Sequence, residues 1–413
     1  MLVPEVQQQL ASVGTVEIVV GIPTFNNAKS IERVLEVTRT GLAKYFAGAR
    51  AALVVSDAGS ADRTLAIVAG VEWEIPKVIA RHEAPPGERA SPPFHGIPGR
   101  GRAQRTILEA ARQLEARACV LVAPDCQSMT PEWIERLFKP VLDDGGDYVA
   151  PLYQRHRYEG TLTRGLIYPL VRALYGKRIR QPWHDHVSFS GRLIDHFLSQ
   201  ETRSDLERHG LDLWMTAVAA TDGFAVAEAW LGPCVLEAQV RSNDLATIFA
   251  QTIGPAFAML EHTADVWPGV RGSEPVQEFG APLPLGTEPM EINVDRMVSA
   301  FRLGLKDLMP LWAQVLAPDH LAEVLALGAL PDEAFRFPHQ LWPRVVYDFA
   351  LGHRFRILHR DHLLRSLVPL YLGRTATLIH ETLQGGAIET ERWLERACLA
   401  FEQEKRYLAE RWQ

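Results

Sequence analysis

Between residue 16 and about residue 150 the sequence alternates short apolar runs with stretches of helical periodicity. That alternation restricts the fold more than any other feature of the chain. Val16-Glu-Ile-Val-Val-Gly-Ile22, Ala51-Ala-Leu-Val-Val-Ser56, Lys77 to Arg81, Ala118 to Val122 and Tyr148 to Pro151 read as buried strands, the first stopped by Pro23. Helices are expected over 28–46, from about Thr64, over 102–116 and over 131–142. Asn26 or Asn27 is suited to cap the first of these, and Thr130 with Pro131 to start the last. Residues 84–101, rich in Pro and Gly, read as a loop. Strands alternating with helices specify a mostly parallel sheet covered on both faces, with ligands at the carboxyl ends of the strands. Thr24, Asp57 and Asp125 all fall just past such ends.

From 152 to 200 the alternation weakens, and a helix over 211–221 and a strand over 225–231 follow. Beyond 240 no strand is expected. Helical periodicity covers 245–262, 291–316, 319–327, 340–358, 361–382 and 389–411, with a Pro/Gly-rich segment at 268–289. The chain therefore divides into an α/β domain, 1–238, and an all-helical C-terminal domain, 239–413. Its 413 residues, 47% hydrophobic and 23% charged, have ordinary globular composition. A net charge of −7 speaks against nonspecific nucleic-acid binding, which needs a basic face. No eighteen-residue apolar run occurs, so no membrane span is expected. Residues 1–14 lack the basic-then-apolar pattern of a signal peptide. Cys119, Cys126, Cys234 and Cys398 form no CxxC pair, which fits reduced thiols and a cytoplasmic location. The apolar C-terminal helices fit a homodimer.

The polar clusters at the strand ends carry the chemistry. Gly21-Ile-Pro-Thr-Phe-Asn-Asn27 and Ser56-Asp-Ala-Gly-Ser-Ala-Asp-Arg-Thr64 together place a carboxylate and a flexible glycine at adjacent strand ends. Asp57 and Ser60 are also of the type that caps a following helix. Gly99-Arg-Gly-Arg-Ala103 opens a helix with a basic, flexible loop, a seat for a diphosphate at a helix N-terminus or a solvated surface loop. The fourth strand ends in Ala123-Pro124-Asp125, one carboxylate that can hold a cation or cap a turn. His184-Asp185-His186 offers three ionisable groups in a row, His184 and His186 sharing one face if the segment is extended.

These motifs resemble family-2-like glycosyltransferases of the GT-A fold, in particular the group that makes glucosyl-3-phosphoglycerate or mannosylglycerate. The likeness continues in Tyr153-Gln-Arg-His-Arg-Tyr-Glu-Gly-Thr161, Tyr175-Gly-Lys-Arg-Ile-Arg-Gln-Pro182, Phe189-Ser-Gly-Arg192, His209-Gly-Leu-Asp-Leu-Trp214, Leu231-Gly232, Val345-Val-Tyr-Asp-Phe-Ala350, Leu363 to Arg374 and Tyr407 to Trp412. It implies a nucleotide-diphospho-sugar transferase: a GT-A sheet with flanking helices, then helices alone. The implied activity is retaining transfer of a hexose from a UDP- or GDP-sugar to a small anionic acceptor such as glycerate or 3-phosphoglycerate. By that likeness Pro23, Thr24, Asp57 and Ser60 meet the nucleotide, with Asp57 on the base. Arg100, Gly101 and Ala103 seat the diphosphate, and Arg100 stands where the family has Lys. Asp125, with His186 and Glu237, holds Mg²⁺ or Mn²⁺. Arg178 and Arg180 clamp the acceptor's anion, Asp185 lies near the reacting sugar, and Asp212 orients the acceptor hydroxyl.

Three places depart from the pattern. Ala123 replaces the first Asp of the metal motif. Trp183-His184-Asp185-His186 replaces a Gly-Gly-acid segment, with His186 where the acid falls. The metal-binding His after the last core strand is missing, Leu236 and Glu237 occupying its region. These departures open an alternative from another class, a catalytically inactive pseudo-glycosyltransferase serving as a regulatory or scaffolding partner.

Overall fold

The computed structural model describes residues 2–90, 92–201, 210–237, 244–282 and 292–412. They form two compact units. The first comprises Met1–Gln154, Gln181–Asn243 and Val276–Leu285; the second comprises Arg155–Arg180, Asp244–Pro275 and Gly286–Gln413.

The first unit is built on strands β1 (Ile18–Thr24), β2 (Ala51–Asp57), β3 (Lys77–Arg81), β4 (Ala118–Leu121), β5 (Tyr148–Tyr153), β6 (Val187–Ser190), β7 (Val226–Gly232) and β8 (Gln277–Phe279). Their order is β3-β2-β1-β4-β6-β5-β7-β8. Only β6 runs antiparallel, between β4 and β5. This is the mostly parallel sheet expected of a GT-A chain. All seven residues of β1 and of β2 are buried, as their unbroken apolar runs require when helices cover both faces. Those helices are α1 (Pro4–Val13), α2 (Ile31–Tyr45), α3 (Thr64–Gly70), α4 (Arg100–Gln113), α5 (Pro131–Leu142), α6 (Gly191–Ser199) and α7 (Leu211–Thr221). Ile18, Val20, Leu53, Val55 and Val120 pack against Val34 and Leu35 of α2 and Trp133, Ile134 and Phe138 of α5. On the other face α4 lies so close to β1 that a Cβ on Gly21 would sit 2.2 Å from the Ile107 side chain.

Four details differ from the sequence expectation. Pro23 lies inside β1, paired with Ser56, rather than ending it; proline forfeits only its own N–H in the ladder. The residue at the N-cap of α2 is Ser30, not Asn26 or Asn27. β6 and α6 occupy the stretch where alternation weakened, β6 being only four residues long. β8, three residues at the sheet edge, lies beyond 240, where no strand was expected. Strands this short are held by backbone pairing, β6 to β4 and β5 and β8 to β7, which side-chain pattern does not report.

The second unit is helical: Tyr168–Tyr175, Leu245–His262, Val294–Val315, Pro318–Gly328, Leu341–Arg354, Arg360–Thr382 and Gly386–Arg411. Gly304 lets 294–315 approach 360–382, because a Cβ there would sit 2.7 Å from Pro369. Trp312, Trp342 and Trp393 are almost fully buried in it. No described helix is long and apolar enough to cross a membrane. Residues 283–289 of the Pro/Gly-rich segment and His209 lie outside the described residues.

Candidate functional site

The loops after β1 and β2 are tied together at the carboxyl edge of the sheet. Asp57 is fully buried. Its Oδ2 accepts from the N–H groups of Gly59 (2.7 Å) and Ser60 (2.8 Å), and its Oδ1 accepts from the hydroxyls of Ser60 (2.5 Å) and Thr24 (3.1 Å). A carboxylate has about four acceptor positions, so Asp57 is saturated by its own loop together with Thr24 of β1. Asn26, held at φ 53°, donates its N–H to Ser60 Oγ and accepts the Ala61 N–H on Oδ1. Asp62 takes the Thr64 N–H at the start of α3, so the helix is served by Asp62 rather than by Asp57 or Ser60.

The 84–99 loop is seated on this edge through His82. The His82 ring bridges Ser56 Oγ (3.0 Å) and the Pro98 carbonyl (2.8 Å), and burial lowers its pKa. Gly99, at φ 62°, donates to Glu88 Oε2, and a Cβ there would meet the Glu83 carbonyl at 2.8 Å. The glycine is therefore required both by its backbone angle and by the close approach. α4 begins at the next residue.

Arg100, Asp185 and Asp212 converge. The Arg100 side chain is 6% exposed; it gives Nη1 to Asp185 Oδ1 at 2.7 Å, and Nη2 to the His184 carbonyl and, at 3.3 Å, to Asp212. Gln104, one turn along α4, gives Nε2 to Asp212 Oδ1 at 2.6 Å. Burial raises the pKa of Asp212, opposed by Arg100 and by the Gln104 hydrogen bond. His184 is buried, and desolvation with Arg100 nearby drives its pKa down to about 3, so it is neutral. Its tautomer follows from its partners. Thr216 Oγ1 donates to the Pro182 carbonyl and therefore receives the Tyr148 hydroxyl proton. The Tyr148 oxygen then accepts from His184 Nε2–H, which leaves Nδ1 a bare acceptor 4.0 Å from Asp212 Oδ1. His184 Nδ1 and Gln104 Oε1 are both buried and lack hydrogen-bond partners. Two orphaned acceptors beside a carboxylate favour a ligand that brings donors, such as hydroxyl groups.

Asp125, His186 and Glu237 are arranged differently. Asp125 is buried, and its carbonyl accepts the Glu237 N–H at 3.0 Å. The half-buried Glu237 carboxylate is taken by Gln127 Nε2 at 2.7 Å. His186 lies edge-on to Trp133, with Nδ1 on the Tyr153 hydroxyl at 2.7 Å. The neighbouring Cys234 and His186 side chains hold the Cys126 thiol well below its usual pKa, against the opposing effect of burial. Among the described residues no three His, Cys, Asp or Glu side chains are grouped to hold a metal ion. A buried carboxylate such as Asp125 is a hard oxygen donor of the type that Mg²⁺ takes together with waters and phosphate oxygens.

The remaining expected residues are placed as follows. Pro23 is buried in β1, and Gly101 and Ala103 are buried in the first turn of α4. Arg178 and Arg180 belong to the helical unit, where Arg178 gives Nε to Ser273 Oγ at 3.2 Å. Sequence reading missed Gln104, Tyr148, Thr216 and His82. For Gln104 a signal existed, a polar residue four positions after Arg100 on the buried face of α4.

No protein-family model matches the chain, and no curated relative matches it. Solved structures similar to it include glucosyl-3-phosphoglycerate synthase from Mycobacterium tuberculosis in complex with Mn²⁺, uridine diphosphate and glucosyl-3-phosphoglycerate. There the identity is 22% and the TM-score 0.45, over 63% of this chain and 84% of that one. A second structure of that synthase, with Mg²⁺ and uridine diphosphate, matches at 22% identity and TM-score 0.45 over 63% and 83%. A structure described only as a mycobacterial protein matches at 22% and 0.43 over 63% and 78%. The bound metals and nucleotides belong to those structures.

Proposed function

We propose that the protein is a GT-A hexosyltransferase that moves a hexose from a nucleotide-diphosphate sugar to a small anionic acceptor, with retention at the anomeric carbon. One observation carries this reading. The Thr24–Asp57–Ser60 knot and Asp125 flank the junction of β1 and β4, where the strand order reverses. In an open α/β sheet that crevice is where nucleotides bind. In this reading Asp57 shapes the shelf for the nucleotide, and Asp125 faces the diphosphate. A divalent cation at Asp125 would neutralise charge on the leaving diphosphate. Arg100 holds Asp185 and Asp212 in place. Asp212, His184 Nδ1 and Gln104 Oε1 accept hydrogen bonds from hexose or acceptor hydroxyls, the geometry that lets binding energy orient a reacting group.

The burial of Arg100 favours a second reading. Its guanidinium is already spent on Asp185, Asp212 and the His184 carbonyl, and Ala123 removes one metal-motif carboxylate. A non-catalytic partner that binds a nucleotide sugar would need no more than this. The two readings are separated by calorimetry of UDP and GDP with and without Mn²⁺. The companion assay is turnover of UDP- and GDP-hexoses on glycerate and 3-phosphoglycerate. Metal-dependent turnover that falls at least about tenfold in Asp125→Ala, a loss of about 1.4 kcal/mol of transition-state stabilisation, supports the enzyme and sinks the partner. Metal-independent binding without turnover does the reverse.

A further inference from the structure

Cys126 and Cys234 are far apart in the sequence, one after β4 and the other after β7, yet lie side by side. The segment after β4 runs antiparallel to the segment after β7. Cys126 bridges Leu236, Gln127 N–H donates to the Val235 carbonyl at 2.8 Å, and Glu237 N–H donates to the Asp125 carbonyl at 3.0 Å. Ser128 Oγ fastens the far end, donating to the Pro233 carbonyl and accepting from the Val235 N–H. In that register Cys126 and Cys234 project on the same side, one diagonal step apart. The Cys234 side chain is within hydrogen-bonding reach of the Cys126 thiol, and neither cysteine is in a disulfide. Their burial differs: Cys126 is 1% exposed, whereas Cys234 is half-buried. His186, fully buried, stands against the Cys126 sulfur; its Nδ1 is taken by Tyr153, and its Nε2 has no other partner.

We propose that this pair is a modification site, oxidised by a peroxide to a disulfide that staples the Asp125 segment to the Glu237 segment. Cys234 is the sulfur an oxidant reaches first. Hydrogen peroxide converts its thiol to a sulfenic acid and releases one water. The Cys126 sulfur then attacks that sulfur. The S–O bond breaks, the Cys126 proton goes to the departing hydroxide, and a second water leaves. Two thiols and one peroxide give one disulfide and two waters. Side chains within hydrogen-bonding reach on facing segments need a side-chain rotation and a backbone adjustment to reach the S–S distance of about 2 Å. Of the other two cysteines, Cys119 is fully buried inside β4 and Cys398 is buried in the helical unit, so neither competes for the sulfenic acid. A staple between these segments freezes the carboxylate at Asp125. That consequence for ligand binding, unlike the disulfide itself, rests on the nucleotide-sugar reading.

The test is peroxide treatment of the reduced full-length protein, followed by thiol counting and non-reducing peptide mapping by mass spectrometry. The expected result is loss of two thiols, one peptide pair linked through Cys126 and Cys234, and reversal by dithiothreitol. Cys234→Ser and Cys234→Ala should both abolish the link and keep Cys126 reduced. Cys234 stopping at sulfinic acid, or no link in the treated wild type, overturns the proposal. Calorimetry of UDP with Mn²⁺ on reduced and oxidised protein then reads the consequence, with at least about a tenfold change in Kd expected. Equal affinity overturns the consequence and leaves the disulfide standing. Failure of the reduced protein to bind either UDP or GDP overturns the nucleotide-sugar reading instead.

Discussion

Two polar clusters sit at the carboxyl edge of the same sheet and are built on opposite plans. Around Asp57 every acceptor is used: Thr24, Gly59 and Ser60 donate to it, and Ser60 in turn holds Asn26. Around Arg100 the count does not close. Asp212 is shared by Arg100 and Gln104, but Gln104 Oε1 and His184 Nδ1 are left without donors. A saturated cluster fixes the shape of a loop. An unsaturated buried one holds capacity for something else, because each orphaned acceptor carries a desolvation cost of roughly 1–3 kcal/mol. The contrast separates a positioning element from a group of residues with unused hydrogen-bonding capacity.

The harshest way to break this contrast is Arg100→Met. It leaves Asp212 buried, charged and short of a counter-ion, a change that typically costs about 3–5 kcal/mol. Denaturant unfolding should show that loss, and adding Asp212→Asn to Arg100→Met should recover a large part of it. If the single variant loses under about 1 kcal/mol, Arg100 is not what holds the two carboxylates.

The two clusters were not equally legible in the sequence. The Asp57 knot is local: Ser56-Asp-Ala-Gly-Ser60 contains most of its own partners, and a short turn of this type announces itself. The sheet was legible for the same reason, since β1, β2 and β4 are unbroken apolar runs. The Arg100 cluster is assembled from positions 85 and 112 residues away in the chain, so no window contains it. Arg100 and Asp212 were both expected at the site, but not that they face each other. A basic loop at a helix start reads as a diphosphate seat or a solvated surface loop, and only tertiary packing turned this arginine onto Asp185 and Asp212. The same limit hid the contact between Cys126 and Cys234, which look scattered in sequence.

A milder perturbation is acid. The pKa of His184 is lowered from 6.5 to about 3 in the folded state, chiefly by desolvation. Between these values the unfolded chain holds a proton that the folded chain refuses, so stability falls as pH drops from 6.5 toward 3. The slope from this one group is at most about 1.4 kcal/mol per pH unit. Asp212 works in the other direction, because its raised pKa lets the folded state take up a proton before the unfolded state does. Measuring unfolding free energy against pH should therefore show a shallower acid loss in His184→Gln than in the wild type. In Asp212→Asn, where the compensation is gone, the loss should be steeper. Identical slopes in all three would mean that neither group sits in the desolvated environment described here.

The smallest expected effect sharpens the contrast most. Ser60→Ala and Gln104→Leu each delete a hydrogen bond to a buried carboxylate, at 2.5 Å and 2.6 Å respectively. At Ser60 nothing offsets the loss: Asp57 forfeits a donor and the Asn26 N–H forfeits its acceptor, for a cost of roughly 1–3 kcal/mol. At Gln104 the same deletion also removes the orphaned Oε1, and relieving that acceptor offsets most of the loss of the bond to Asp212. Net destabilisation by Gln104→Leu should stay under about 1 kcal/mol and below that of Ser60→Ala. Ligand binding should reverse the order, because Gln104 lies among the unsatisfied acceptors while the Ser60 hydroxyl is taken up between Asp57 and Asn26. If Gln104→Leu is the more destabilising and leaves sugar-nucleotide affinity untouched, the Arg100 cluster is a structural ion pair like any other. The distinction between the two ends of the edge then disappears.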